Sequence, residues 1–195
     1  ELLLKLGEAQ WSAGGLEKPK ERMREAALVA ERLGDPELFA RAALGLAGPG
    51  LGVILIGDES AIALLERALV VLDDRDSALR ARVMGKLASG KLFVRHPLEV
   101  ESLARVAIEM ARRVGDRGAL AYVLNATANA TWGPDNLDER LTLAEERIRL
   151  ADETGDLRLA TEAHAWKAVH CLELGDIAAV EREEQVQEHI ADTSH

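Results

Sequence analysis

Apolar positions recur along most of this chain in steps of three and four. Between Ser60 and Leu72 they fall at Ile62, Leu65, Leu69 and Leu72. Between Leu98 and Val114 they fall at Val100, Leu103, Ala107, Met110 and Val114. From Leu137 to Ala151 the same spacing picks out Leu137, Leu141, Ala144, Ile148 and Ala151. A helix turns once in about 3.6 residues, so this spacing gathers the apolar side chains into one stripe per segment. Glu and Arg fill the opposite faces, which reads as solvated helix surface.

Two series of turns divide the stripes. One runs Leu33-Gly34-Asp35, Arg75-Asp76, Val114-Gly115-Asp116 and Thr154-Gly155-Asp156. The other runs Gly14-Gly15-Leu16, Gly57-Asp58, His96-Pro97-Leu98, Pro134-Asp135-Asn136 and Gly175-Asp176-Ile177. Each series repeats at about 40 residues, and the two are offset by about half a period, which makes two helices per repeat. Gly or Pro ends one helix, and Asp, Asn or Ser caps the next. The expected helices are 1–13, 16–33, 36–47, 59–74, 77–94, 98–114, 117–132, 136–154, 157–174 and 176–191. Stacked as hairpins, these ten helices form an all-α, right-handed αα-superhelix of about five hairpins, a single domain over 1–195. The repeating aspartates are then caps, not catalysts.

Composition narrows the class further. Aromatic residues make up 3% of the chain, and Ala and Leu dominate, which favours helix over sheet. The net charge is -10, with no run of Lys and Arg that could act as a basic face. A nucleic-acid binder needs such a face to displace counterions from phosphate, so no nucleic acid is expected as a partner. Lys18 to Arg22 is the densest basic stretch, and Glu21 dilutes it. A single cysteine, Cys171, excludes an internal disulfide and fits a reducing, cytoplasmic setting. No run of about 18 apolar residues is present, so no membrane helix is expected. The chain opens at Glu1 inside a helical pattern, and a piece of a longer protein is expected.

The first hairpin reads Leu6-Gly7-Glu8-Ala9-Gln10-Trp11-Ser12-Ala13-Gly14 and continues to Ala26-Ala27. This Leu-Gly-x-Ala-x-aromatic-x-x-Gly run resembles the tetratricopeptide repeat. Ala165-Trp166 through Leu174-Gly175-Asp176 is a weaker match. The stretches Ala30 to Gly45, Asp76 to Arg82 and Trp132 to Arg140 resemble the tetratricopeptide-like region of large ATP-binding transcriptional regulators of the LuxR type. They also resemble that region in related ATPase- and cyclase-linked signalling proteins. The resemblance implies a sensor or docking arm between a nucleotide-binding module and a DNA-binding helix-turn-helix. This chain holds no G-x-x-x-x-G-K-[ST] and no basic helix-turn-helix, so neither activity is carried over to any residue here.

Few residues suggest chemistry. Gly48-Pro49-Gly50-Leu51-Gly52 lacks the preceding strand and following Lys-Ser or Lys-Thr of a phosphate cradle, and reads as a kinked connection. Gly85-Lys86-Leu87 lacks the hydroxyl that would hold a magnesium ion. His164, His170 and Cys171 share one helix but are too few for zinc, so no metal and no cofactor is expected. Cys171 has no identifiable base beside it. The many carboxylates are surface charge.

One segment differs. Leu124 to Trp132 carries no charge, and on a helix Asn125, Asn129 and Trp132 fall on one face. Amides beside an indole suit a peptide backbone or a hydroxyl-bearing ligand. In tetratricopeptide-like stacks the first helix of each hairpin lines the concave face. The resemblance therefore makes Arg82, Lys86, Asn125, Asn129, Trp132, His164 and His170 groove candidates. The expected function is non-enzymatic: a sensor or interaction domain of a bacterial transcriptional or signalling regulator. It would take a protein or peptide segment, acidic or amide-rich, or a small-molecule inducer. The alternative is a stand-alone scaffold that holds partner proteins or forms a homodimer.

Overall fold

The computed structural model describes residues 1–15, 17–48, 58–92 and 94–193, and all regular structure among them is helical. The helices are α1 (Leu2–Ser12), α2 (Glu17–Leu33), α3 (Pro36–Leu46), α4 (Glu59–Val71) and α5 (Ala78–Lys91). They continue as α6 (Pro97–Val114), α7 (Arg117–Ala126), α8 (Leu137–Thr154), α9 (Leu157–Leu174) and α10 (Ile177–Thr193). The number and order agree with the periodicity. The glycine-rich connection from Pro49 to Gly52 and the turn at Gly57 lie outside the described residues.

Five aspartates of the two turn series cap helices. Asp35, Asp116 and Asp156 accept from the amides of Leu38, Ala119 and Leu159 at 2.9, 2.7 and 2.9 Å. Asp58 and Asp176 do the same for Ala61 and Ala179 at 3.2 and 2.9 Å. Each bond satisfies an amide that has no partner within its helix. Gly115 and Gly155 close α6 and α8 at φ of 75° and 65°, a left-handed conformation that glycine adopts without a Cβ penalty. Asp76 departs from the series. Ser77 caps α5 by accepting from the Arg80 amide at 3.1 Å, and Asp76 instead pairs with Arg113 at 2.7 Å.

Helix α7 ends at Ala126, short of the expected 132. The cause is local. The Thr127 hydroxyl donates back to the Val123 carbonyl at 2.8 Å, and the Ala128 amide bonds three residues back, to Asn125, at 3.4 Å. The same Thr bond occurs inside α8 and α9, at Thr142 and Thr161, so the break comes with the tighter three-residue turn, in a segment that has no charged pairs to hold a helix together. Beyond it, Asn136 ties the turn. Its Nδ2 donates to the Thr131 carbonyl at 2.7 Å, and its Oδ1 accepts from the Gly133 amide at 3.0 Å. Asn136 therefore makes no side-chain cap for α8.

The chain forms two compact units, Glu1–Ala130 and Thr131–His195. In the first, each helix packs on its neighbours in the chain. The odd-numbered helices also pack on one another: α1 on α3, α3 on α5, and α5 on α7. Its core gathers Leu4, Met23, Phe39, Leu46, Leu65, Val83 and Leu87 around fully buried alanines such as Ala40, Ala43, Ala61 and Ala68. Alanines let helix backbones approach closely. Gly7 and Gly45 take this further, since a Cβ on either would meet the buried Met23 side chain. In the second unit α8 packs on α9, and α9 on α10.

Candidate functional site

The first unit contains a pocket of about 570 Å³. Its walls come mainly from the odd-numbered helices: Glu8 and Trp11 of α1, Glu37 and Arg41 of α3, Arg82 of α5 and Tyr122 of α7. That volume lies within the usual range for a ligand site of about 300–1,000 Å³. The Trp11 indole N–H donates to the Gly45 carbonyl at 3.0 Å, which fixes one aromatic wall. Arg41 is engaged by the carboxylate of Glu1. Arg82 is not so engaged. Its guanidinium lies over the Tyr122 ring at 5.8 Å from the centroid, and its buried Nε has no hydrogen-bond partner. Arg82 thus brings a cation, stacked on an aromatic face, to the lining of the pocket.

The other groove candidates of this unit lie elsewhere. Lys86 and Asn125 are buried, at 1% and 6% exposure, and so lie inside the unit. Asn129 is half-buried in the turn after α7. The single helical face expected to carry Asn125, Asn129 and Trp132 therefore does not form, because the helix ends before two of its three members.

The second unit gathers a different set. Trp132 is 41% exposed and meets Trp166 edge-on, with centroids 5.4 Å apart. His170 lies 5.4 Å from Trp132 and stacks on Trp166 at 6.1 Å. Arg140 is buried beneath them, its guanidinium 4.7 Å from the Trp132 ring. Arg140 holds the Glu173 carboxylate with two N–H bonds of 2.8 and 2.7 Å, and its Nε donates to Asn136 Oδ1 at 3.0 Å. Arg140 Nη1 also lies 3.0 Å from His170 Nδ1. Burial first, then the charges of Arg140 and Arg147, push the His170 pKa down to about 4. The ring is neutral at pH 7 and accepts from Arg140.

His164 forms a separate group. Its Nδ1 lies 2.6 Å from a Glu183 oxygen, and Lys167 reaches the other oxygen at 3.1 Å. Burial by itself raises the Glu183 carboxyl, but these hydrogen bonds outweigh it and hold the pKa low. Burial raises the Cys171 thiol, which leaves it protonated and a poor nucleophile at neutral pH. Among the described residues no group of three or more His, Cys, Asp or Glu side chains could hold a metal ion. None of the described helices is long and apolar enough to cross a membrane.

Sequence reasoning missed Trp11, Tyr122, Arg140 and Trp166. A trace was available: Trp166 and His170 are four residues apart, hence on one face of α9. Along the sequence Arg140 reads as surface charge because its helix is rich in charge, and only tertiary packing buries it. No protein-family model matches the chain, and no curated protein matches it.

Proposed function

We propose that this chain is a non-enzymatic interaction domain, a tetratricopeptide-like repeat array serving as the sensor or docking arm of a bacterial transcriptional or signalling regulator. The period of about 40 residues and the packing of odd helices on odd helices in the first unit support a superhelical array there. The pocket carried by α1, α3, α5 and α7 is the groove of that array. Its occupant is a peptide segment with an acidic or amide side chain. The observation that carries this reading is Arg82, stacked on Tyr122 with its buried Nε unpartnered. Acceptor groups on a partner meet the guanidinium of Arg82 where that residue lines the pocket, and Trp11 and Tyr122 supply rigid aromatic contact area.

Phage selection of peptides on the intact chain, followed by fluorescence anisotropy, tests the proposal. The selected peptides are expected to carry Asp, Glu, Asn or Gln. Arg82→Ala and Tyr122→Phe test the same contact from two sides. The first is expected to weaken binding about tenfold or more, and the second to leave it within about threefold, because the ring that carries the cation is kept. Affinity unaffected by Arg82→Ala overturns the assignment of the groove.

A further inference from the structure

We infer that the occupant of the first unit's pocket is bipolar: an extended segment whose acceptor side chain meets Arg82 and whose lysine or arginine meets a cation subsite made by Glu8 and Trp11 of α1. The inference rests on the reading of this pocket as a peptide groove, and adds a second charge that the occupant must carry.

The balance of charge in the pocket wall points to it. Glu8, Glu37, Asp116, Arg41 and Arg82 all line the pocket. Arg41 is answered by the carboxylate of Glu1, and Asp116 is tied to the Ala119 amide as the cap of α7. Glu8 and Glu37 are exposed and enter no ion pair among the described residues. Three carboxylates thus share the wall with the one guanidinium, that of Arg82, that no carboxylate answers. A purely acidic segment gains at Arg82 and is repelled along the rest of the wall. A segment that also brings a cation meets opposite charge at both places.

Glu8 has an aromatic neighbour on its own helix face. Trp11 follows three residues on, and both side chains line the pocket. The indole is half-buried and held in place. Its N–H donates to the Gly45 carbonyl at 3.0 Å, and a Cβ on Gly48 would come within 3.3 Å of its Cη2 and Cζ2. A carboxylate beside a fixed indole holds an ammonium or guanidinium group by charge and by the ring quadrupole together. Neither member of the subsite is closed off: Glu8 is exposed, and Trp11 is open on its pocket side.

The order of the helices sets the distance between the two charges. Glu1 meets Arg41 and Trp11 meets Gly45, so α1 and α3 run parallel. α3 packs in turn on α5, which carries Arg82. Glu8 and Arg82 therefore stand two helix spacings apart, roughly 16–20 Å between axes. An extended chain crosses that distance in about five residues.

The test is a titration of the intact, ¹⁵N-labelled chain with short acetylated and amidated peptides made otherwise of serine and threonine. One carries Lys and Glu about five residues apart, another carries them in the reverse order, and two more carry Glu alone or Lys alone. The Trp11 indole N–H signal, assigned by its loss in Trp11→Phe, reports the cation subsite. The peptides with Lys are expected to shift it saturably. The tighter bipolar peptide is expected to bind about fivefold or more tightly than either single-charge peptide. Glu8→Gln is expected to remove that advantage and to leave the Glu-only peptide within about twofold. A Glu-only peptide as tight as the bipolar ones, undiminished bipolar binding in Glu8→Gln, or no saturable binding of either bipolar peptide overturns the inference. Failure of the groove reading alone looks different: Arg82→Ala then leaves the Glu-only and bipolar peptides unaffected, while Glu8→Gln still weakens the Lys-only peptide.

Discussion

His170 illustrates how burial and neighbours together set the state of one side chain. It is buried between two arginine charges and an aromatic wall, so its cationic form is penalised three times over, and its pKa falls to about 4. In the unfolded chain the ring titrates near about 6.5. Above that pH both states hold neutral histidine and the group is silent. As pH falls from about 6.5 toward about 4 the unfolded chain takes up a proton that the folded one refuses, so stability is lost across that window, in full by about 3 kcal/mol. Urea unfolding at about pH 7 and about pH 4.5 is therefore expected to show a larger loss for the natural chain than for His170→Gln. Equal losses would mean that the ring is protonated in the folded state. None of this was legible in sequence. His170 was visible as a candidate, but its lowered pKa comes first from burial and then from the charges of Arg140 and Arg147, which only the packing of α8 on α9 supplies.

Helix boundaries are settled by contacts within a few residues of each end, and for that reason they were largely legible. Asp35, Asp116 and Asp156 were readable as caps from their place after a glycine, and each accepts the expected amide. Two elements show where such reading fails. At the second turn Ser77, not Asp76, holds the amide of Arg80, leaving Asp76 to an exposed pair with Arg113. Ser77→Ala is accordingly expected to cost about 1 kcal/mol in chemical denaturation, and Asp76→Ala to leave stability nearly unchanged. The reverse order would restore Asp76 as the cap. At α7 apolar and amide spacing points to a helix through Trp132, yet the backbone tightens to a three-residue turn at Ala128. Apolar spacing alone does not register where a segment without charged pairs stops being held as a helix.

At the scale of the whole molecule, charge is the property that sequence states outright. A net charge of -10 repels polyphosphate wherever the helices lie. Fluorescence anisotropy with a random-sequence DNA duplex is expected to show no binding up to about 100 µM protein at about 150 mM salt, since even non-specific binders usually reach Kd values of about 10⁻⁴–10⁻⁶ M. Saturable binding below that range would reveal a basic face that the composition hides. Among the described residues, the sequence by itself determined the helical class, the order of the ten helices and most of the caps, because these follow from hydrophobic period and short-range hydrogen bonds. Only the tertiary structure decided which charges are buried, which aromatic rings meet, and which helices share a pocket wall. Arg82 reads as a groove candidate and Arg140 and Arg147 as surface charge, but nothing along the chain gives their partners. One lies over Tyr122, one is bound to Glu173 and one is buried without an anion. Those fates depend on partners 33 or more residues away or on neighbouring helices, and a helical period carries no information about them.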